Sequence, residues 1–121
     1  MGRPIVHWEI SGHNGPRLQA FYSELFDWKI DSNNPMNYGM ATTAESGTIN
    51  GGICQCEPDR KPMLTFYIHV DDLQKYLDKI GQKGGKTVVP PSPIPGIGDF
   101  AMFADPEGNV VGLFKPNMDK N

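Results

Sequence analysis

The sequence has little cysteine, no concentration of basic residues and no long apolar run, and each shortage excludes something. Its only cysteines are Cys54 and Cys56. On a strand, residues two apart share a face with Cα atoms roughly 6–7 Å apart, a strained span for a disulfide. The pair therefore reads as ordinary reduced strand cysteines, and a cytoplasmic location is expected. The segment from Met1 to Ile10 offers no apolar stretch of signal-peptide length, and Val6 stands where a myristoylation signal wants Ser or Thr. Proline and glycine break the longest uncharged runs, so neither a transmembrane helix nor a membrane partner is expected. Lys and Arg number 11 against 14 Asp and Glu, for a formal net charge of -3. No basic block or stripe appears, so no nucleic-acid partner is expected either.

What remains suits a small globular domain. The 121 residues are 38% hydrophobic and include Phe 6, Trp 2 and Tyr 4, enough for a core without disulfides or a structural metal. Gly 14 and Pro 11 imply many tight turns between short elements.

Two halves of the chain repeat one another. In the first, the alternating run Arg3 to Ile10 reads as a strand. Asn14 is placed to cap a helix with Pro16 in its first turn, and Leu18, Phe21, Tyr22 and Leu25 follow at helical spacing. Short strand candidates run from Trp28 to Ile30, Tyr38 to Thr43 and Thr48 to Cys54. The second half opens on the strand Met63 to Val70. Asp71 or Asp72 caps a helix carrying Leu73, Tyr76, Leu77 and Ile80, and Gly84-Gly85 ends it. Strands are expected at Thr87 to Val89, Phe100 to Phe103 and Val110 to Phe114, and the proline-rich stretch from Pro90 to Gly98 reads as a loop. Each half is thus β-α-β-β-β. Such a half cannot bury its sheet alone, so the fold class expected is α+β: two βαβββ modules, about 1–57 and 62–121, forming curved mixed sheets around a shared cavity in one domain, 1–121. Trp8 should pack on the helix side with Val6, Ile10, Phe21, Leu25, Phe66, Ile68, Leu77 and Ile80.

Three segments, in order, carry a family resemblance. Phe21-Tyr-Ser-Glu-Leu-Phe-Asp-Trp28 resembles the helix-end signature Phe-Tyr-x-x-x-Phe-Gly-Trp of the vicinal oxygen chelate (glyoxalase/bleomycin-resistance/dioxygenase) superfamily, with Asp27 in place of the usual glycine. Ile68-His-Val-Asp-Asp-Leu73 resembles the strand-to-helix junction of the second module. Phe103-Ala-Asp-Pro-Glu-Gly-Asn109 resembles its final hairpin. The turn also stands on its own chemistry, so Asp105 and Glu107 read as turn formers rather than catalytic carboxylates.

The resemblance implies four metal ligands, usually His, Glu or Gln, from the first and last strands of each module. Those positions correspond here to His7, to a residue at or beside Gly52, to Thr65 and to Gly112. Only His7 offers a metal-binding side chain, and one histidine is not a site. No cofactor and no functional divalent metal are expected. Strand alternation puts Glu9 beside His7 and Tyr67 beside Thr65, and makes Tyr38, Met40, Phe100, Met102 and Phe114 inward-facing. Phe100 and Met102 are interchangeable with Phe103 if the register slips by one. Glycines at 52 and 112 mark either close packing or an enlarged cavity floor. His69 reads as structural or surface and His13 as solvated.

Such a lining, without Lys or Arg, suits an apolar or flat organic ligand. The function expected is small-molecule binding of the glyoxalase/bleomycin-resistance type with a degenerate metal site. The alternative is a lyase- or isomerase-type enzyme (lactoylglutathione-lyase-like), with or without a divalent metal, using His7 or Glu9 as acid or base. A homodimer is expected by analogy.

Overall fold

The computed structural model describes residues 2–117, and the outermost bounds of the two expected modules lie outside them. The element order is β1 (Ile5–Gly12), α1 (Gly15–Phe26), β2 (Lys29–Asp31), β3 (Gly39–Thr42), β4 (Gly51–Gln55), β5 (Met63–His69), α2 (Leu73–Gln82), β6 (Lys86–Ile94), β7 (Gly98–Ala104) and β8 (Val110–Pro116). This is βαβββ twice, an α+β fold with mixed sheets. Among the described residues no helix is long and apolar enough to cross a membrane.

The chain divides into two compact units, His7–Thr65 and residues 2–6 with 66–117. The division falls inside β1 and β5 rather than in the polar segment between the repeats. Backbone hydrogen bonding shows why residues 2–6 go with the later part of the chain: His69 N–H donates to the Pro4 carbonyl at 2.9 Å. Arg3 Nε also donates to the Tyr76 hydroxyl at 2.8 Å, with its guanidinium over the ring.

In the first unit the strands run β2-β3-β4-β1, with β1 and β4 parallel and the other neighbours antiparallel. The Asn14 side chain accepts from Arg17 N–H and caps α1, as expected. The helix ends where Asp27 takes the left-handed conformation, φ 58 and ψ 30. That is the position where the family signature carries glycine. Trp8 stands on the helix side, 5.2 Å from the Trp28 ring, which in turn stacks on Tyr22. Ala41 and Ile53 are buried in this unit.

In the second unit the order is β5-β8-β7-β6, with β5 and β8 parallel and the rest antiparallel. Asp72, not Asp71, caps α2, accepting from Lys75 N–H at 3.1 Å. Val70, Leu73, Leu77, Ala101 and Leu113 form the core, with Ile68, Tyr76, Ile80 and Phe103 packed against it. The Asp105 carboxylate accepts from the backbone N–H of Glu107 and of Asn109 and from the Asn109 side chain, and Gly108 has φ 92, so these residues are indeed turn formers.

Two expectations need correcting. The proline-rich segment is not all loop: β6 continues through Pro93 to Ile94. It is an edge strand paired with β7 alone, and register shifts on either side of Val89 leave Val88, Pro90 and Pro91 unmatched. A proline at an edge or bulge deprives no ladder partner of a donor, so the strand tolerates them. Second, Phe21 and Leu25 are 53% and 61% exposed, and Val6 and Phe66 are exposed too. On α1 the inner row is taken by Leu18 and Tyr22, both half-buried, and the outer apolar row meets solvent.

Candidate functional site

The family positions in the first unit lie on one face. His7 and Glu9 are two apart on β1, and Glu9 pairs in register with Gly52 of β4, which pairs with Met40 of β3. Gly51 belongs to the opposite face, because a Cβ there would run into Trp8. Gly52, and not Gly51, therefore shares the face of His7 and Glu9.

Tyr38 completes the group. Its hydroxyl lies 2.8 Å from His7 Nε2 and donates to Glu9 Oε1 at 3.0 Å. A phenol has one proton, and with Glu9 ionised that proton points to the carboxylate, so His7 Nε2–H donates to the phenol oxygen. The imidazole and phenol rings are stacked at 22°. Desolvation lowers the pKa of half-buried His7, which favours the neutral ring at neutral pH.

The loop before β3 fixes Tyr38. Asn34 clamps it from both sides, its amide donating to the Tyr38 carbonyl at 2.7 Å and its oxygen accepting from Tyr38 N–H at 2.9 Å. Asn37 adopts φ 53, a left-handed turn that asparagine tolerates, and delivers the chain into β3. The ring then lies over Gly52, where any Cβ would collide with Cε2, Cζ and the hydroxyl.

Met40 is on the same face but 47% exposed, and Thr65 is buried. Cys54, two residues beyond Gly52, has its thiol pushed up to about 12 by burial, then by Glu9 and Cys56. It stays protonated and is neither a nucleophile nor a thiolate ligand. His13 is exposed and bonds the Arg60 carbonyl.

The second unit repeats the pattern. Gly112 pairs with Tyr67 on one side and Met102 on the other, and a Cβ at Gly112 would strike the Tyr67 ring. Phe100 pairs with Phe114. Ala101, Leu113 and Phe103 pack on the α2 side. Alternation therefore puts Phe100, Met102 and Phe114 on the other face with Tyr67, and the register slip toward Phe103 does not occur.

The four positions do not fit the metal that the family resemblance implies. Two are glycines whose side-chain space is filled by Tyr38 and Tyr67, and Thr65 offers only a neutral hydroxyl. Among the described residues no group of three or more His, Cys, Asp and Glu side chains is arranged to hold a metal ion. The glycines thus serve close packing; the enlarged cavity floor is not formed, because a tyrosine ring covers each. Sequence reasoning counted Tyr38 only as an aromatic lining residue and missed its bridge. A strand glycine signals a close neighbour, but which neighbour depends on register and on the Asn34 loop.

Comparison with known proteins agrees with this frame. The family model for the Glyoxalase/Bleomycin resistance protein/Dioxygenase superfamily matches residues 5–113. The "Putative glyoxylase CFP32" of Mycobacterium tuberculosis (strain CDC 1551 / Oshkosh) is 32% identical over 107 residues, which are 82% of this chain but 40% of the mycobacterial protein. A glyoxylase-like domain-containing protein of Didymella fabae is 32% identical over 123 residues, 90% of this chain and 94% of its own length. Among solved structures, methylmalonyl-CoA epimerase from Mycobacterium tuberculosis superposes with a TM-score of 0.64 at 14% identity, covering 95% of this chain and 89% of the epimerase. That identity speaks to the fold alone. With its repeated βαβββ order and the family match over nearly its whole length, the chain belongs to the glyoxalase/bleomycin resistance protein/dioxygenase superfamily.

Proposed function

We propose that this chain is a small-molecule-binding domain that works without a divalent metal and takes an apolar or flat organic ligand. The observation that carries the reading is the Tyr38 hydroxyl bridging His7 and Glu9 above Gly52. A polar handle of three hydrogen-bonded groups stands where the family places ligands, with Met40 exposed beside it. The matching face of the second unit offers Tyr67, Phe100, Met102 and Phe114. Purified protein should carry no stoichiometric Zn, Ni, Fe or Mn, and chelator should leave its melting temperature unchanged, whereas stripping a tight metal lowers stability by several kcal/mol, on the order of 3–4. A fluorescence screen with planar aromatic ligands should find a binder. His7→Ala should weaken that binder about five-fold, the equivalent of one hydrogen bond of roughly 1 kcal/mol. Stoichiometric metal held through His7 would overturn the reading.

A second reading draws on the same bridge. A chain from His7 Nε2–H through the Tyr38 hydroxyl to Glu9 can relay a proton: the ring takes one from a substrate at Nδ1 and gives up Nε2–H to the phenol oxygen, whose own proton passes to Glu9, leaving a neutral imidazole and a protonated carboxyl. That is acid/base equipment for a lyase- or isomerase-type reaction of the lactoylglutathione-lyase kind. Turnover of a glutathione hemithioacetal by metal-free protein, abolished by His7→Gln, favours it over simple binding.

The homodimer belongs to the same proposal. Its support is the apolar row Phe21, Leu25 and Phe26 exposed on α1. Sedimentation should give twice the 13.4 kDa of one chain. A monomer at micromolar concentration rules it out.

A further inference from the structure

His7 Nε2 and Glu9 Oε1 approach one common point, the Tyr38 hydroxyl oxygen, at 2.8 and 3.0 Å. Two ligand-type atoms each within a hydrogen bond of one point need to move in by less than about 1 Å to share an ion, since metal–nitrogen and metal–oxygen distances are about 2.0–2.2 Å. The third direction toward that point comes from β4. A Cβ at Gly52 would overlap the phenol oxygen itself, along with Cζ and Cε2. The Asn34 clamp and the left-handed turn at Asn37 fix the Tyr38 backbone, and its hydroxyl is tied to His7 and Glu9, so the ring swings aside only by giving up both of those bonds.

We infer that Tyr38 stands in for a divalent cation in the first unit: its hydroxyl joins His7 to Glu9, and its ring bars position 52 from carrying a ligand. It is a positioning residue, acting on His7 and Glu9. The inference rests on the metal-independent reading above and adds a cause to it. A ligand at position 52 and the tyrosine ring exclude one another, so exchanging one for the other is a single coupled change, and His7 and Glu9 face the point the hydroxyl occupies. Making that exchange should create a cation site of His7, Glu9 and a carboxylate introduced at position 52.

The test is titration of Co2+, a visible probe of nitrogen and oxygen ligation, into four proteins: wild type, Tyr38→Ala with Gly52→Glu, Tyr38→Phe with Gly52→Glu, and the first pair with His7→Ala added. The Tyr38→Ala pair should show a saturable Co2+ absorption band and a Co2+-dependent rise in melting temperature. Wild type should show neither. Tyr38→Phe with Gly52→Glu should also show neither, because the ring still fills the space. Adding His7→Ala should cost at least the roughly 10–100-fold in metal affinity that loss of a supporting residue alone causes.

A folded Tyr38→Ala pair that binds Co2+ no better than wild type overturns the inference and leaves the metal-independent reading standing. Tight Co2+ binding by wild type through His7 overturns both. If the Tyr38→Ala pair does not fold, the coupling is read from Gly52→Ala. That change should lower the melting temperature by several degrees, about 3–8 °C, in wild type and by far less on the Tyr38→Ala background. Equal losses in both backgrounds overturn the inference.

Discussion

Gly112→Ala tests the packing of the second unit in its simplest form. The backbone at Gly112 is not left-handed, so alanine adds no strain and the question is one of space. The new Cβ would lie 2.8 Å from Cγ of Tyr67 and closer still to Cδ2 and Cε2. To restore ordinary contact at about 3.5–4.0 Å the nearest ring atom must retreat by roughly 1.5 Å, yet Tyr67 is only 9% exposed and its strand is paired to β8 opposite Gly112 itself. Overpacking of this kind costs about 1–3 kcal/mol. The stiffer unfolded chain of an alanine variant returns about 0.4–1 kcal/mol. The net is a loss of about 1–2 kcal/mol, or roughly 3–10 °C in melting temperature for a domain of this size. Far-UV circular dichroism on heating is the assay, because Trp8 and Trp28 both sit in the first unit and their fluorescence reports that unit. The control is Gly81→Ala, the same chemical change near the end of α2 with nothing within 4 Å of the added carbon. It should stabilise by about 0.5 kcal/mol. The reasoning fails if both variants move the melting temperature in the same direction, or if Tyr67→Ala does not relieve the cost of Gly112→Ala.

Leu77→Ala, in the buried α2 cluster, should cost about 2–5 kcal/mol by urea titration; a loss below about 1 kcal/mol would mean that the cluster is not the core. Asp27→Gly relieves the left-handed φ of 58 at the end of α1 and should raise the melting temperature by a few degrees, about 2–5 °C, whereas Asp27→Ala should not. His7 has a folded-state pKa lowered by burial, so the unfolded chain binds the proton more readily. Its contribution is intact above about pH 6.5 and is lost as pH falls through the lowered folded value. Melting temperature against pH should show that decline in wild type and a shallower one in His7→Gln; parallel curves would sink the assignment.

Much of this fold was legible from local chemistry. Asn14 names its helix, and the pair Asp71 and Asp72 names the other, because a cap needs only a side-chain oxygen and an N–H three residues on; the structure decides for Asp72. The Asp105 turn is equally local. Trp8 was placed on the helix side by alternation alone. The failures share a cause: each depends on a neighbour that is distant in sequence. Pro90 and Pro91 look like loop until β6 is known to be an edge strand with bulges. Phe21 and Leu25 look like core until the half-buried Leu18 and Tyr22 are seen to occupy the inner row. At the candidate site, His7, Glu9 and the empty side-chain positions at Gly52 and Gly112 were readable. What fills those positions was not, because Tyr38 reaches Gly52 from a loop folded by Asn34, and Tyr67 reaches Gly112 across a strand pair.

The grouping of residues 2–6 with 66–117 has a consequence for how the protein is made. Arg3 and the Tyr76 it bonds are 73 positions apart. At translation rates of about 5–20 residues per second, Arg3 waits roughly 4–15 s for its partner to be synthesised. For most of that interval the Pro4 carbonyl has no His69 N–H to accept from, while residues 7–65 of the first unit are being synthesised. A chain emerging from the ribosome can therefore complete residues 7–65 before residues 2–6 meet their partners at 69 and 76, closing a long loop to do so. Slowing translation between residues 66 and 76 should prolong the time for which that opening strand segment is open to chaperones and to other nascent chains.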